Sequence, residues 1–251
     1  MNSREERTRL MAEGDMGSVL WKFAIPAIAS ALISAIYNIV DTMFVGLLND
    51  TSALGAVSVA FPVFLLINSV GQMYGVGAAS YIARLLGGDE KDNADKVAST
   101  ITWVAFGTGL FLTVLVMIFL SPILRVLGAT DTILPLAIEY SIPLVLGSVF
   151  AILMPTLANI IRSEGNTKFS AIAIGAGGVA NIILDPIFIF SLDMGVKGAA
   201  VATALSQVLT VVILILYFVM KKNYIEIKLK KFAPSIKMFR EVLTVGTATI
   251  I

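Results

Sequence analysis

Three carboxylates, Asp41, Glu139 and Asp185, stand inside long runs that otherwise carry no charge, each about eight or nine residues from the acid nearest one end of its run, Asp50, Asp131 or Asp193. At about 1.5 Å per residue of helix, all three lie about 12–14 Å below the same boundary, in one layer just outside the middle of a bilayer. A carboxylate at that depth is strongly disfavoured in hydrocarbon. It must face protein or a water-filled cavity, and ion or proton handling is the chemistry it suggests.

Two of the three come with amides. Asn38 lies one turn before Asp41, and Tyr37 four residues before it, so the three project from one side of a helix; Asn181 stands four residues before Asp185. Two helices thus each present an Asn and an Asp at matching depth, with acceptors for a cation and donors that can orient an ionised carboxylate. Full ionisation of two neighbouring carboxylates in a partly dry cavity is costly, so a proton can be shared between them. A sodium ion can take the same place through oxygens of Asp41, Asn181 and Asp185 with a hydroxyl such as Thr203. Pro186, directly after Asp185, has no N–H and can leave carbonyls free toward an ion. The alternative is that the two acids only tie helices together. The chain has no Cys and no His, which excludes disulfides and thiolate or imidazole metal sites and leaves any proton relay to carboxylates, tyrosines and water.

The elements that position these residues are predicted to be membrane spans. The chain is 57% hydrophobic and 14% charged, against roughly 25% charged in a soluble domain. A span needs about 20 apolar residues, and six runs qualify: about Val19–Leu48, Ala53–Ala83, Val97–Leu124, Thr132–Ile161 (charged only at Glu139), Phe169–Leu192 (charged only at Asp185) and Gly198–Met220. Pro26, Pro143 and Pro186 are candidate kinks. Of 18 Lys and Arg, only Arg125 and Lys197 fall on the side opposite the rest, so the positive-inside rule makes the amino terminus and the segment after Met220 cytoplasmic. The charged, polar start and long first run predict a retained span rather than a cleaved signal.

The expected organisation is a cytoplasmic tail (1–17), an all-α integral membrane bundle of six helices (18–220), a basic cytoplasmic surface linker (221–241) and the start of a seventh helix (242–251). A six-span protein with a short apolar tail is the alternative. Asn68, Gln72 and Gln207 add polar atoms near the midplane, as cavity contacts or as interhelical ties. Met73, Met117 and Met154 could supply an adaptable apolar surface or face lipid. Tyr140 points about 100° away from Glu139 around its helix, so the two need not share a cavity.

Ile25-Pro26-Ala27 with Tyr37–Gly46, Gly75–Ser80 with Arg84–Gly87, Ile161–Asn166, Asn181–Pro186, and Gly195–Ala200 with Thr203 resemble, in order, motifs of the multidrug and toxic compound extrusion (MATE) transporters. The resemblance covers nearly the whole chain. It implies one lobe of a twelve-span antiporter in a prokaryotic cytoplasmic (inner) membrane, which exports cationic amphipathic drugs against proton or sodium entry and needs no cofactor. It implies partners in membrane lipid, the drug and a carboxy-terminal lobe, and none in nucleic acid. The cation site would be Asp41, Asn181, Asp185 and Thr203, with Tyr37, Asn38 and Tyr140 nearby, and protonation of Asp41 would bend the first helix near Pro26. Asn68, Gln72 and Gln207 join the substrate-cavity candidates.

Other functions weighed are a flippase of lipid-linked substrates, whose cavity would carry Arg or Lys where these spans have none, and an intramembrane aspartyl protease, whose Gly-x-Gly before Asp is replaced here by Ile182-Ile183-Leu184. A channel-forming fragment lacks a filter sequence.

Overall fold

Backbone groups in lipid find no water, so each apolar run closes its hydrogen bonds internally as a helix. The computed structural model describes residues 16–48, 50–220 and 223–249, and the tail before Met16, Lys221–Lys222 and the last two residues lie outside them. The helices are α1 (Met16–Gly46), α2 (Thr51–Gly87), α3 (Lys91–Val126), α4 (Leu134–Leu146), α5 (Ser148–Ser163), α6 (Thr167–Pro186), α7 (Gly195–Val219) and α8 (Ile236–Gly246). Five stretches are long and apolar enough to cross a membrane singly, and α4 with α5 makes a sixth span bent by 49°. The chain is a multi-pass membrane protein.

The expected fourth span, Thr132–Ile161, is therefore two helices. Pro143 removes a donor, and the break follows at Gly147, whose N–H reaches the Pro143 carbonyl at 2.9 Å. The Val145 carbonyl beside the break accepts from Thr113 Oγ1 (3.2 Å) and Ser148 Oγ (2.6 Å), so side chains restore what the backbone loses. After Pro186 a single wider turn over Ile187–Ser191 completes the fifth span. Pro26 lies inside an unbroken α1.

Around a shared core, α5 packs on α2, α3 and α7, while α6 packs on α7 and α1. The first helix is held differently: nearly all of its contacts are with α6, and those with α2 and α7 are marginal. Gly178 allows this approach, because a Cβ there would sit 3.0 Å from Ile33 and 3.3 Å from Tyr37 of α1.

The linker is docked rather than a free surface strand. Ile225 is fully buried with Ile82, Ala98 and Ile160 at one end of the bundle. The fully buried Asp95 accepts from the backbone N–H of Glu226 (2.8 Å) and from the ammonium groups of Lys91 (3.1 Å) and Lys231 (2.7 Å). One turn on, Ser99 Oγ donates to the Glu226 carbonyl (3.2 Å) and accepts from the Lys228 N–H (3.0 Å). Thr100 Oγ1 takes the Ala233 N–H at 3.0 Å, and the Glu164 carboxylate accepts from the N–H groups of Tyr224 and Ile225. These side chains act as the partner strand that an extended segment otherwise lacks.

The last helix starts at Ile236, six residues before the expected Val242, because Pro234 disfavours helix only for the residue preceding it. Met238, Val242 and Gly246 form its buried face, and a Cβ on Gly246 would overlap the Met73 carbonyl of α2. Linker and α8 are thereby tied to the same lobe as α2 and α3.

Asp95→Ala strands a buried N–H and releases two ammonium groups. It should cost about 1–3 kcal/mol, read as a lower thermal unfolding midpoint in detergent and faster proteolysis at Lys228–Lys231. The Asp95 carboxylate holds the Lys231 ammonium above the ordinary lysine pKa range. That contribution is complete below the ordinary value and is lost only as pH rises through the raised one, so protection of the linker should stay flat from neutral pH to about 10.

Candidate functional site

Asp41 faces a cavity of about 590 Å³ between α1, α2, α4 and α7. Its wall combines Tyr37, Asn38, Asn68, Tyr140 and Thr203 with an apolar side from α2, where Val57, Phe61, Phe64 and Leu65 recur at helical spacing. Among the described residues no lysine or arginine lines it. The volume falls in the range of about 300–1,000 Å³ usual for small-molecule sites. A carboxylate set in an aromatic and apolar wall suits a cation carrying an apolar body.

Asp185 is fully buried behind this cavity and lines none of its surface. One turn earlier on α6, Asn181 donates through Nδ2 to Asp185 Oδ1 at 3.2 Å, and the same nitrogen lies 3.4 Å from Thr203 Oγ1 of α7. Three oxygens, Asp41 Oδ1, Asn181 Oδ1 and Asp185 Oδ2, are buried with no hydrogen-bond partner. Unpaired buried acceptors are costly. A proton or a small cation is what such a set can accommodate. The described residues contain no cluster of three or more His, Cys, Asp or Glu with metal-binding geometry, and the sodium set expected from the sequence has only two carboxylates.

The other expected residues separate by place. Tyr37 and Thr203 border both the large cavity and a smaller one of about 20 Å³, which Asn181, Gln207 and Met154 also line. Gln207 touches only the smaller space. Gln72 is exposed and lines neither; its amide oxygen accepts from Asn159 of α5 at 3.3 Å, which makes it an interhelical tie. Glu139 is exposed and also lines neither cavity. Met73 packs against α8, and Met117 is exposed. Pro26 lies about four turns from Asp41 along α1, away from both cavities. The sequence reading passed over Phe61 and Phe64. Their spacing from Val57 and Asn68 was the available signal, one face of α2.

Residues 26–187 match the MatE family. Over 243 residues the chain is 31% identical to the multidrug export protein MepA of Staphylococcus aureus (strain MRSA252), covering 97% of this chain and 54% of that protein. It superposes with a TM-score of 0.91 and 33% identity on a crystal structure of MATE in complex with MaD3S, covering 96% of this chain and 54% of that one. A MOP superfamily transporter from Pyrococcus furiosus matches with a TM-score of 0.89 and 33% identity over 96% of this chain and 53% of that one; reverse polarity of its binding pocket is said to suggest a different function. The chain spans about half the length of these relatives.

Asn181→Leu removes the donor to Asp185 and should lower stability by about 1–3 kcal/mol, measured by thermal unfolding in detergent. Gln72→Leu, at an exposed position, should stay within about 0.5 kcal/mol.

Proposed function

The chain belongs to the MatE family, and on that premise we propose that it forms the amino-terminal lobe of a cation-coupled antiporter that exports cationic amphipathic drugs. The observation that carries this reading is the pair of buried carboxylate oxygens without a hydrogen-bond partner, Asp41 Oδ1 and Asp185 Oδ2, beside a drug-sized cavity whose described wall holds a carboxylate and no basic residue. The export activity named for the staphylococcal relative agrees with it.

The mechanism is competition for charge. With the carboxylates unneutralised, the cavity attracts an organic cation. When a proton or sodium ion is held at the Asp41 and Asp185 carboxylates, with the Asn181 amide and the Thr203 hydroxyl beside it, that attraction is lost and the drug leaves. Linkage requires the effect to be mutual, so bound drug weakens binding of the coupling ion by the same factor. Pro26 lies in a helix whose main neighbour among the described residues is α6, which suits it as the hinge of α1. Alternating access would come from rocking this lobe against a second one about the midplane. The basic loops favour a cytoplasmic amino terminus in a prokaryotic inner membrane.

The same geometry disfavours the alternatives. A lipid-linked pyrophosphate needs cations that the cavity wall does not contain. Proteolysis needs two carboxylates facing one water in one cleft, and Asp185 is closed off behind Asn181.

Asp41→Asn keeps the volume and removes the charge. In proteoliposomes containing the two-lobed protein, efflux of a fluorescent dye cation driven by a proton or sodium gradient should fall by about tenfold or more, within the 5–150-fold span of typical coupling. Undiminished gradient-driven efflux by the variant would refute the scheme.

A further inference from the structure

Between α1, α5, α6 and α7 lies the cavity of about 20 Å³, on the side of Asn181 away from Asp185. Two of its lining side chains are almost wholly enclosed, Asn181 at 1% and Gln207 at 5% exposure. The amide oxygen of each has no hydrogen-bond partner. Ser206 and Thr210, also in the wall, use their hydroxyl protons on the carbonyls of Ala202 and Ser206, both at 2.8 Å, and keep lone pairs toward the space. A void needs about 10–15 Å³ and two to four polar partners to hold a water molecule. This one has the room for a single water and offers acceptors from two helices.

We infer that one water occupies this cavity, donating to Asn181 Oδ1 and Gln207 Oε1, and that through it Gln207 is a positioning residue for the Asp185 site. The two ends of the Asn181 amide are alike in size, but one accepts and the other donates, so the neighbours decide which way round it sits. Its nitrogen serves Asp185 and Thr203. A rotated amide would point its oxygen at a carboxylate, so a donor fixing the oxygen on the far side holds the nitrogen in place. Water supplies two donors, and Gln207 anchors the second. The functional part of this inference rests on the cation-site reading proposed above; the water itself does not.

Two measurements test it on the two-lobed protein. A crystal structure resolving internal waters should show density within hydrogen-bond distance of both oxygens, and a dry cavity overturns the inference. Gln207→Met keeps the length of the side chain and removes the acceptor. It should raise the sodium or proton concentration at half-release of a bound dye cation by about three- to tenfold, with dye affinity at low cation concentration unchanged. An unaltered midpoint overturns the positioning role. If wild-type release shows no cation dependence at all, the antiport reading fails, and the water still stands or falls on the density.

Discussion

Everything else in this fold answers to the cost of placing a carboxylate where neither water nor headgroup can reach it. Asp185 is fully enclosed and has one donor, the amide of Asn181, which reaches at the same time toward Thr203 on the neighbouring helix. That single nitrogen joins α6 to α7 at the depth of the acid. It also leaves oxygens without a hydrogen-bond partner on Asn181, Asp185 and Asp41, so the network at this depth is only partly satisfied by the protein itself.

The two carboxylates sit on helices of unequal restraint. Asp185 belongs to α6, which packs on both α7 and α1, whereas Asp41 belongs to α1, which leans on α6 and scarcely touches anything else in this lobe. A change of charge at the pair therefore acts between a member fixed on two sides and a helix held mainly on one. At the opposite extreme of restraint stands the linker. Asp95, Ser99, Thr100 and Glu164 bind its backbone, and Ile225 is driven into the core, so α8 begins from a point anchored to α2 and α3.

The spans were legible in the sequence because lipid imposes a requirement on composition and length alone, independent of neighbours. That Asn181 and Asp185 are enclosed by protein and Asp41 faces a cavity was legible for a related reason: polar atoms at depth are too costly to face lipid. Facing was harder. Gln72 and Asn68 are one turn apart, yet only Asn68 reaches the cavity, since which edge of a polar stripe points inward depends on the crossing of α2 with α5. Pro143 marked the bend of the fourth span, but the break falls at Gly147, where Thr113 and Ser148 can reach the loosened Val145 carbonyl. The docking of the linker was hidden entirely. It depends on pairings between residues more than 100 positions apart, such as Ser99 with Lys228, that no local pattern encodes.

The sign of the large cavity follows from what the fold keeps out of it. Its polar wall is supplied by α1, α4 and α7 with Asn68 of α2, its apolar wall mainly by α2, and the basic residues fall toward the ends of the spans and in the linker. With no lysine or arginine among the described residues of that wall, Asp41 has no fixed counter-charge there, and its charge can be balanced by a proton or by what enters the cavity. The fold thus sets the place of the cavity, while a few side chains set its charge.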